Sequence, residues 1–206
     1  MAAMGRPSIH GGLTKAAAGL ALTLWRHIIF RFMHCFKHNA GLMFHRNVKP
    51  MDTIIARFFL ETTGTLISFF ASYLALFTMN LIGPIHDFLL LLAGWYLLAA
   101  FAFAVAVSVS ALSELWEPAE KFVQPLMYIT IPLTGAFFMV SWMPADYHDD
   151  LLLSPMVNTV EMFRAGLIGP SVQTYYHADY VIYVTVFLTA IGFLLMRKAE
   201  AHIKIE

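Results

Sequence analysis

Long apolar stretches alternate with short polar connections along this chain. Four of them, at about residues 54–82, 88–112, 122–142 and 180–196, are long enough to cross a bilayer, since a spanning helix needs about 20 mostly apolar residues. The second has no polar face, which is typical of a helix surrounded by lipid or by other helices. The third contains two prolines, which neighbouring helices accommodate in a membrane. The pattern predicts an all-α, polytopic transmembrane helical bundle.

The connection between the third and fourth stretches, at 143–179, has a pattern of its own. Its sequence LLLSPMVNTVEMFRAGLIGP shows a helical apolar period but is too short to span a bilayer. Prolines and glycines interrupt it and predict breaks in the helix. We expect a re-entrant or interface-lying helical pair on the outer side of the membrane, with Glu161 and Arg164 in it.

The composition indicates a membrane protein, and the absence of several motifs argues against nucleic-acid binding and common enzyme activities. The 206 residues are 59% hydrophobic and 13% charged, against about 25% charged in soluble domains. Net charge is zero and no basic run is interleaved with aromatics, so nucleic acid is not an expected partner. The sequence contains no GxxxxGK[ST], GxSxG, HExxH or paired-cysteine pattern. We therefore expect a chain that is not an enzyme, needs no cofactor and does not itself hydrolyse ATP.

The distribution of lysine and arginine predicts the orientation. Residues 1–57 carry eight of them and the tail after the last stretch carries three, whereas 143–179 carries only Arg164. Positive residues concentrate on the cytoplasmic side of membrane proteins. Both termini are therefore predicted to be cytoplasmic, with 146–176 outside.

One family resemblance follows from the order of these segments. NVKPMDTIIARFFLE at 47–61, the hairpin after it, the proline-interrupted third stretch and MPADYHDDLLLSPMVNTVEMFRAG resemble the permeases of ABC-2 type exporters. Exporters of capsular and O-antigen polysaccharide are the best match, over roughly 27–206. The resemblance implies a multi-pass permease of the bacterial inner membrane that moves a lipid-linked polysaccharide. It also implies that two permeases pair with two separate ATPase subunits.

The N-terminal part departs from that family, whose members have six spans. Upstream of the matching motif lies one weak apolar stretch, 16–36, broken by Arg26 and Arg31. A charge at a helix centre costs about 2.5–3.5 kcal/mol on insertion scales, so we expect this stretch to lie at the membrane interface. Residues 1–36 then form an atypical segment before a transmembrane domain over 37–206. With the first two family helices lost or altered, an impaired exporter is expected.

The segment KHNAGLMFHRNVKPMD, at 37–52, is amphipathic and basic. By itself such a helix rests on anionic lipid headgroups. The resemblance instead implies a cytoplasmic coupling helix that docks into a groove of the ATPase, and this is the interpretation we favour. Its expected contact residues are Leu42, Phe44, Lys49, Pro50 and Asp52.

Two charged residues, Arg57 and Glu61, lie one helical turn apart where the first span begins. Such a pair is an ordinary helix stabiliser, but ionisable groups entering a membrane are costly and usually functional. The resemblance places both residues at the entrance of the translocation channel.

Four of the histidines before the first span have spacings compatible with one helical face. They lack acidic neighbours, so we interpret them as surface or interfacial residues and expect no metal site. They are His27, His34, His38 and His45.

Two alternatives remain open from the sequence. An ABC-2 exporter of another lipid or of a drug has the same architecture, because cargo selectivity depends on channel shape. An intramembrane lipid-modifying enzyme would use Glu61, Glu161, Arg164 and the interfacial histidines.

Overall fold

A computed structural model of the chain describes residues 7–33, 50–116 and 118–203. Within these ranges the fold is all-α, as predicted, with no strand. Four short 3-10 helices connect the later elements: Ile131–Thr134, Val140–Trp142, Ala145–Tyr147 and Gly169–Ser171. The α-helices are α1 (Pro7–Met33), α2 (Pro50–Thr78), α3 (Phe88–Leu115), α4 (Ala119–Thr130), α5 (His148–Leu152), α6 (Pro155–Ile168) and α7 (Ala178–Ile203).

Three of the described helices are long and apolar enough to cross a bilayer. The qualifying stretches are Met51–Thr78, Phe88–Leu115 and Ala178–Ala199, with 28, 28 and 22 residues. At 1.5 Å per residue each exceeds the roughly 30 Å of a hydrocarbon core. The large apolar side chains exposed along them suit contact with lipid. The first, second and fourth predicted spans are confirmed as helices.

The third predicted span, 122–142, is wrong as a single helix. The helix α4 has 12 residues, which corresponds to only about 18 Å. Pro132 has no N–H to continue the α-helical ladder, and the N–H of Ile131 already bonds to Tyr128 O in a tighter turn. Gly135 then adopts a left-handed conformation with φ of 71°. Hydropathy recognised the apolar composition of this stretch but not these backbone interruptions.

The central helix α3 packs against α1, α6 and α7. It crosses α6 closely enough that a Cβ on Gly166 would lie 2.3 Å from the backbone nitrogen of Leu91. A Cβ on Gly94 would lie 2.7 Å from the backbone nitrogen of Phe163. Small residues of this kind let membrane helices approach backbone to backbone.

The N-terminal helix α1 also belongs to the bundle. Leu24, Ile28 and Phe32 are completely buried, and the hydroxyl of Ser110 donates to the carbonyl of Phe32 at 3.0 Å. The described part of 16–36 therefore packs within the bundle, whereas the sequence predicted an interfacial position for it. The charged residues occupy a partly or fully exposed side of the helix, so they do not interrupt the continuous apolar face that packs into the core.

Contacts along the helices fix their directions. Trp25 of α1 stacks on Phe101 in the middle of α3, and Phe32 lies beside Ser110 further along it, so α1 and α3 are parallel. The helix α7 is parallel to them as well. The N–H of His177, just before α7, bonds to Asn158 of α6, which crosses the start of α3, whereas Gly192 in the second half of α7 packs on Ser108 further along α3.

The helix α2 runs in the opposite direction. Its Phe58 packs on Phe103, with ring centroids 4.9 Å apart, and its Phe70 packs on Phe88, at 5.7 Å. One end of the bundle, called the α6 end, thus holds α6 and the starts of α3 and α7. The other, called the Glu61 end, holds the start of α2 and the ends of α1, α3 and α7.

These directions bear on the predicted topology. Among the described residues, α1 begins at the α6 end, whereas α7 finishes at the Glu61 end. These two described helix ends therefore lie at opposite ends of the bundle, whereas the sequence predicted both termini on the cytoplasmic side.

Candidate functional site

A buried carboxylate marks the Glu61 end. Glu61 on α2 is 6% exposed, and its Oε1 accepts from the guanidinium of Arg31 at 2.9 Å. The imidazole of His27 lies 3.5 Å from the other carboxylate oxygen. Both partners come from α1. Arg57, the sequence-predicted neighbour, forms no ion pair within the described part of the chain. Glu61 therefore links α2 to α1 rather than bonding within its own helix.

The same side of α1 also contacts α4. The guanidinium of Arg26 lies over the ring of Tyr128, 5.5 Å from its centroid. A cation–π contact of this kind contributes about 0.5–1 kcal/mol at an exposed site. The cationic side of α1 thus has partners on both α2 and α4. Arg26, His27 and Arg31 each contact a residue of one of these helices.

The α6 end contains a second and deeper ion pair. Glu161 and Arg164 are 1% and 2% exposed, and their Oε1 and Nη1 atoms are 2.9 Å apart. Arg164 also donates from Nη1 to Phe138 O at 2.8 Å and from Nη2 to Gly135 O at 2.9 Å. One side chain of α6 therefore holds the backbone turn that follows α4.

Burial and ion pairing shift the pKa values of Glu161 and Arg164 in opposite directions. Burial raises the pKa of the Glu161 carboxyl and lowers the pKa of the Arg164 guanidinium. Each charge opposes the shift of the other, and the backbone N–H groups of Val140 and Tyr175 also favour the carboxylate. A buried pair with additional hydrogen bonds of this kind is costly to break by removing one partner. We infer that the ionised pair stabilises the architecture of the α6 end.

An apolar cavity of about 330 Å³ separates α1 from that turn. The rings of Phe137 and Trp142 are largely exposed beside it. Because Arg164 is charge-balanced by Glu161, the cavity offers aromatic surface rather than an anion site. Its lining residues are Gly19, Leu22, Ala136, Phe137, Phe138, Trp142 and Arg164.

The remaining predicted site residues are only partly covered by the structure. Pro50 begins α2 and Asp52 lies in its first turn. No group of three potential metal ligands occurs within the described ranges. Leu42, Phe44, Lys49, His34, His38 and His45 lie outside the described residues.

The sequence identified the charged residues of the site but not the groups that they contact. The three-residue spacing of Glu161 and Arg164 already places them on one helical face. The carbonyls of Gly135 and Phe138 carry no such signal, because any residue has a carbonyl and only the fold brings these two to α6. The same holds for Arg31 and Glu61, which meet only because α1 packs against α2.

Three long apolar helices, a fourth helix packed among them and a buried ion pair at one end define a polytopic helical membrane protein. No protein-family model matches the chain. Several curated proteins are similar to it. It is 33% identical over 177 residues to the capsule polysaccharide export inner-membrane protein CtrC of Neisseria meningitidis, covering 86% of this chain and 67% of the relative.

Two further relatives are also named for the transport of a polysaccharide. Identity to the capsule polysaccharide export inner-membrane protein BexB of Haemophilus influenzae is 31%, over 84% of this chain and 66% of the relative. The polysialic acid transport protein KpsM of Escherichia coli is 26% identical, over 82% and 66%. The chain belongs to the family of capsule polysaccharide export inner-membrane proteins, which confirms the resemblance. It spans about two thirds of the length of these relatives.

Proposed function

We propose that the chain is a permease subunit of an ATP-driven ABC-2 exporter. The cargo is a lipid-linked polysaccharide of capsule or O-antigen type, moved outward across the bacterial inner membrane. The observation that carries this proposal is family membership over most of the chain, since the relatives are named for capsule polysaccharide export. The helical bundle supplies the membrane-crossing part, and we propose that a second copy of the permease completes the path.

We propose that the Glu61 end faces the cytoplasm. Among the residues that the structure describes, cationic side chains concentrate at this end. They include Arg31, Arg57, Arg197 and Lys198. Excess positive charge favours the cytoplasmic side of a membrane. Arg164 at the α6 end is neutralised by its buried partner. The α6 end then faces outward, and α1 crosses the membrane toward the cytoplasm.

Cysteine labelling tests this orientation. In a Cys35→Ser background, single cysteines replacing Asp149 or Ser8 should react with an impermeant maleimide in intact cells. A cysteine replacing Lys198 should react only after the membrane is permeabilised. Labelling at Lys198 but not at Asp149 would reverse the orientation, and protection at Ser8 would mean that α1 does not cross.

Coupling to an ATPase is proposed at the connection between α1 and α2. The end of α1 and the start of α2 both lie at the Glu61 end, on the proposed cytoplasmic side. In the sequence, the basic segment 37–52 connects these two helix ends. We propose that Leu42, Phe44, Lys49, Pro50 and Asp52 contact that partner, and that Arg57 and Glu61 lie at the channel entrance.

Co-purification tests the proposed coupling. The tagged chain should retain a P-loop ATPase after detergent extraction. The double variant Leu42→Asp, Phe44→Asp should lose it, because two charges would enter an apolar helix-in-groove contact. Arg197→Ala, outside that segment, is the matched control and should retain the ATPase. Normal ATPase retention by the double variant would show that segment 37–52 is not the contact.

A further inference from the structure

A second pocket, called the cationic pocket, opens along α1 beside the apolar cavity described above. It has a volume of about 210 Å³, and its lining residues are Leu22, Thr23, Arg26, His27 and Phe30. Leu22 lines the apolar cavity as well. The two spaces are therefore neighbours on one side of α1. The charged one lies closer to the Glu61 end, because α1 runs toward that end.

Arg26 gives this pocket a positive charge that is not balanced nearby. Its guanidinium lies over the neutral ring of Tyr128, and it makes no ion pair or hydrogen bond with the residues that the structure describes. The buried carboxylate of Glu61 is already paired with Arg31. This side of α1 thus has an excess of positive charge that a bound anion would balance.

The depth of Arg26 in the bundle makes an anionic partner favourable. Arg26 follows Trp25, which stacks on Phe101 in the middle of α3, so it lies within the membrane-crossing part of the bundle. An arginine at such a depth draws lipid headgroups and water toward itself through local thinning of the bilayer. Basic pockets between transmembrane helices bind anionic lipid headgroups. The chemistry of the cationic pocket therefore suits a phosphate group.

The apolar cavity provides space for the other part of such a lipid. Its aromatic wall is formed by Phe137 and Trp142, and the charge of Arg164 at its side is already neutralised. Gly19 at this cavity and Arg26 at the cationic pocket are seven residues apart on α1, which corresponds to about 10 Å along the helix axis. An acyl chain of a lipid whose phosphate lies at Arg26 can therefore extend along α1 into the cavity.

We propose that this side of α1 binds one anionic phospholipid of the surrounding bilayer, with its phosphate at Arg26 and an acyl chain in the apolar cavity. The lipid fills the gap between α1 and the turn after α4. It is a bound component of the bundle and not the exported cargo. With the proposed orientation of the Glu61 end, the headgroup points toward the cytoplasm, so the lipid belongs to the cytoplasmic leaflet.

Phospholipid retention by the full chain tests the cationic pocket. The chain in mild detergent would be incubated with equal amounts of phosphatidylglycerol and phosphatidylethanolamine, and bound lipid would be counted by mass spectrometry of the intact protein. Wild type should retain one phosphatidylglycerol in preference, because only that lipid has a net negative charge. Arg26→Gln should weaken its retention by about tenfold, since a hydrogen bond to a charged group is lost. Arg197→Gln, which removes an exposed cation at the same end of the bundle, is the matched control and should behave like wild type.

A pair of glycine variants tests the acyl-chain position. A Cβ meets nothing within 4 Å at Gly19 or at Gly64, so neither substitution forces a backbone clash. Gly19→Leu should occupy part of the apolar cavity and weaken retention of phosphatidylglycerol. Gly64→Leu, on α2 and outside the cavity, should leave retention unchanged. An excess of inorganic phosphate should not displace the lipid, because free phosphate has no acyl chain.

Three results would overturn the phospholipid proposal. They are equal retention of the two lipids by wild type, unchanged retention by Arg26→Gln, and displacement of the lipid by inorganic phosphate. Equal retention by the two glycine variants would refute the acyl-chain position. The experiment contains no ATPase and no polysaccharide, so it is independent of the permease proposal. Export by a chain that retains no lipid refutes only the lipid site, and lipid retention by a chain that exports nothing refutes only the permease.

Discussion

Replacing Arg164 by methionine is expected to destabilise the bundle by about 3–5 kcal/mol, the usual cost of removing one partner of a buried ion pair. Glu161 would remain 1% exposed without its counter-charge. The carbonyls of Gly135 and Phe138 would lose their shared donor. The measurement is the free energy of unfolding in detergent, with Arg57→Met as the control. Since Arg57 makes no ion pair among the described residues, its replacement should change stability by less than about 0.5 kcal/mol.

A second variant distinguishes the effect of the unpaired buried charge from the effect of the altered side-chain volume. Adding Glu161→Gln to Arg164→Met removes the unpaired buried charge, so it should recover part of the lost stability. The backbone carbonyls remain without a donor, and recovery should therefore be incomplete. Equal unfolding free energies for wild type and Arg164→Met would contradict the structural role assigned to this pair.

Replacing Gly166 by alanine is expected to separate α3 from α6. The new Cβ would lie 2.3 Å from the backbone nitrogen of Leu91, and a backbone cannot move aside as a flexible side chain can. Overpacking of this kind costs about 1–3 kcal/mol or more. The melting temperature in detergent should fall accordingly.

Gly64 provides a matched control for that substitution. It is also a helical glycine, but a Cβ there meets nothing within 4 Å. Gly64→Ala should be neutral or stabilising by up to about 1 kcal/mol, because alanine is the better helix former. If both alanine variants melt at the same temperature, the close crossing of α3 and α6 is incorrect.

The sequence predicted where the long helices lie along the chain, but not which of their residues are buried. Hydropathy identified α3 as a span, but a helix that is apolar all round carries no periodic signal to orient it. Trp95 and Tyr96 are neighbours in such a run, yet one is 1% and the other 57% exposed. Only the positions of α1, α6 and α7 around α3 decide between them.

The differences between prediction and structure at α4 and at α1 have different physical origins. For α4 the average hydropathy was high, but Pro132 ended the helix after 12 residues, and the left-handed Gly135 ended the 3-10 helix that follows. For α1 the average was lowered by Arg26 and Arg31, although both are on the side away from the buried apolar face. A window average contains no information about backbone breaks or about which side of a helix is charged.

The candidate site was predictable only in its charged members. The sequence singled out Glu61, Glu161 and Arg164 because ionisable groups near a membrane are costly. It could not show that Glu61 pairs with Arg31 instead of Arg57, since that choice depends on packing between α1 and α2.

The most direct test of the permease proposal is ATP-dependent movement of lipid-linked polysaccharide. The chain and its co-purifying ATPase would be reconstituted in inside-out proteoliposomes with labelled lipid-linked polysaccharide on the outer surface. We expect ATP, but not a non-hydrolysable analogue, to drive the labelled polymer into the lumen, where added glycosidase cannot reach it. Equal protection with and without ATP, or no protection while the ATPase stays bound, would contradict it.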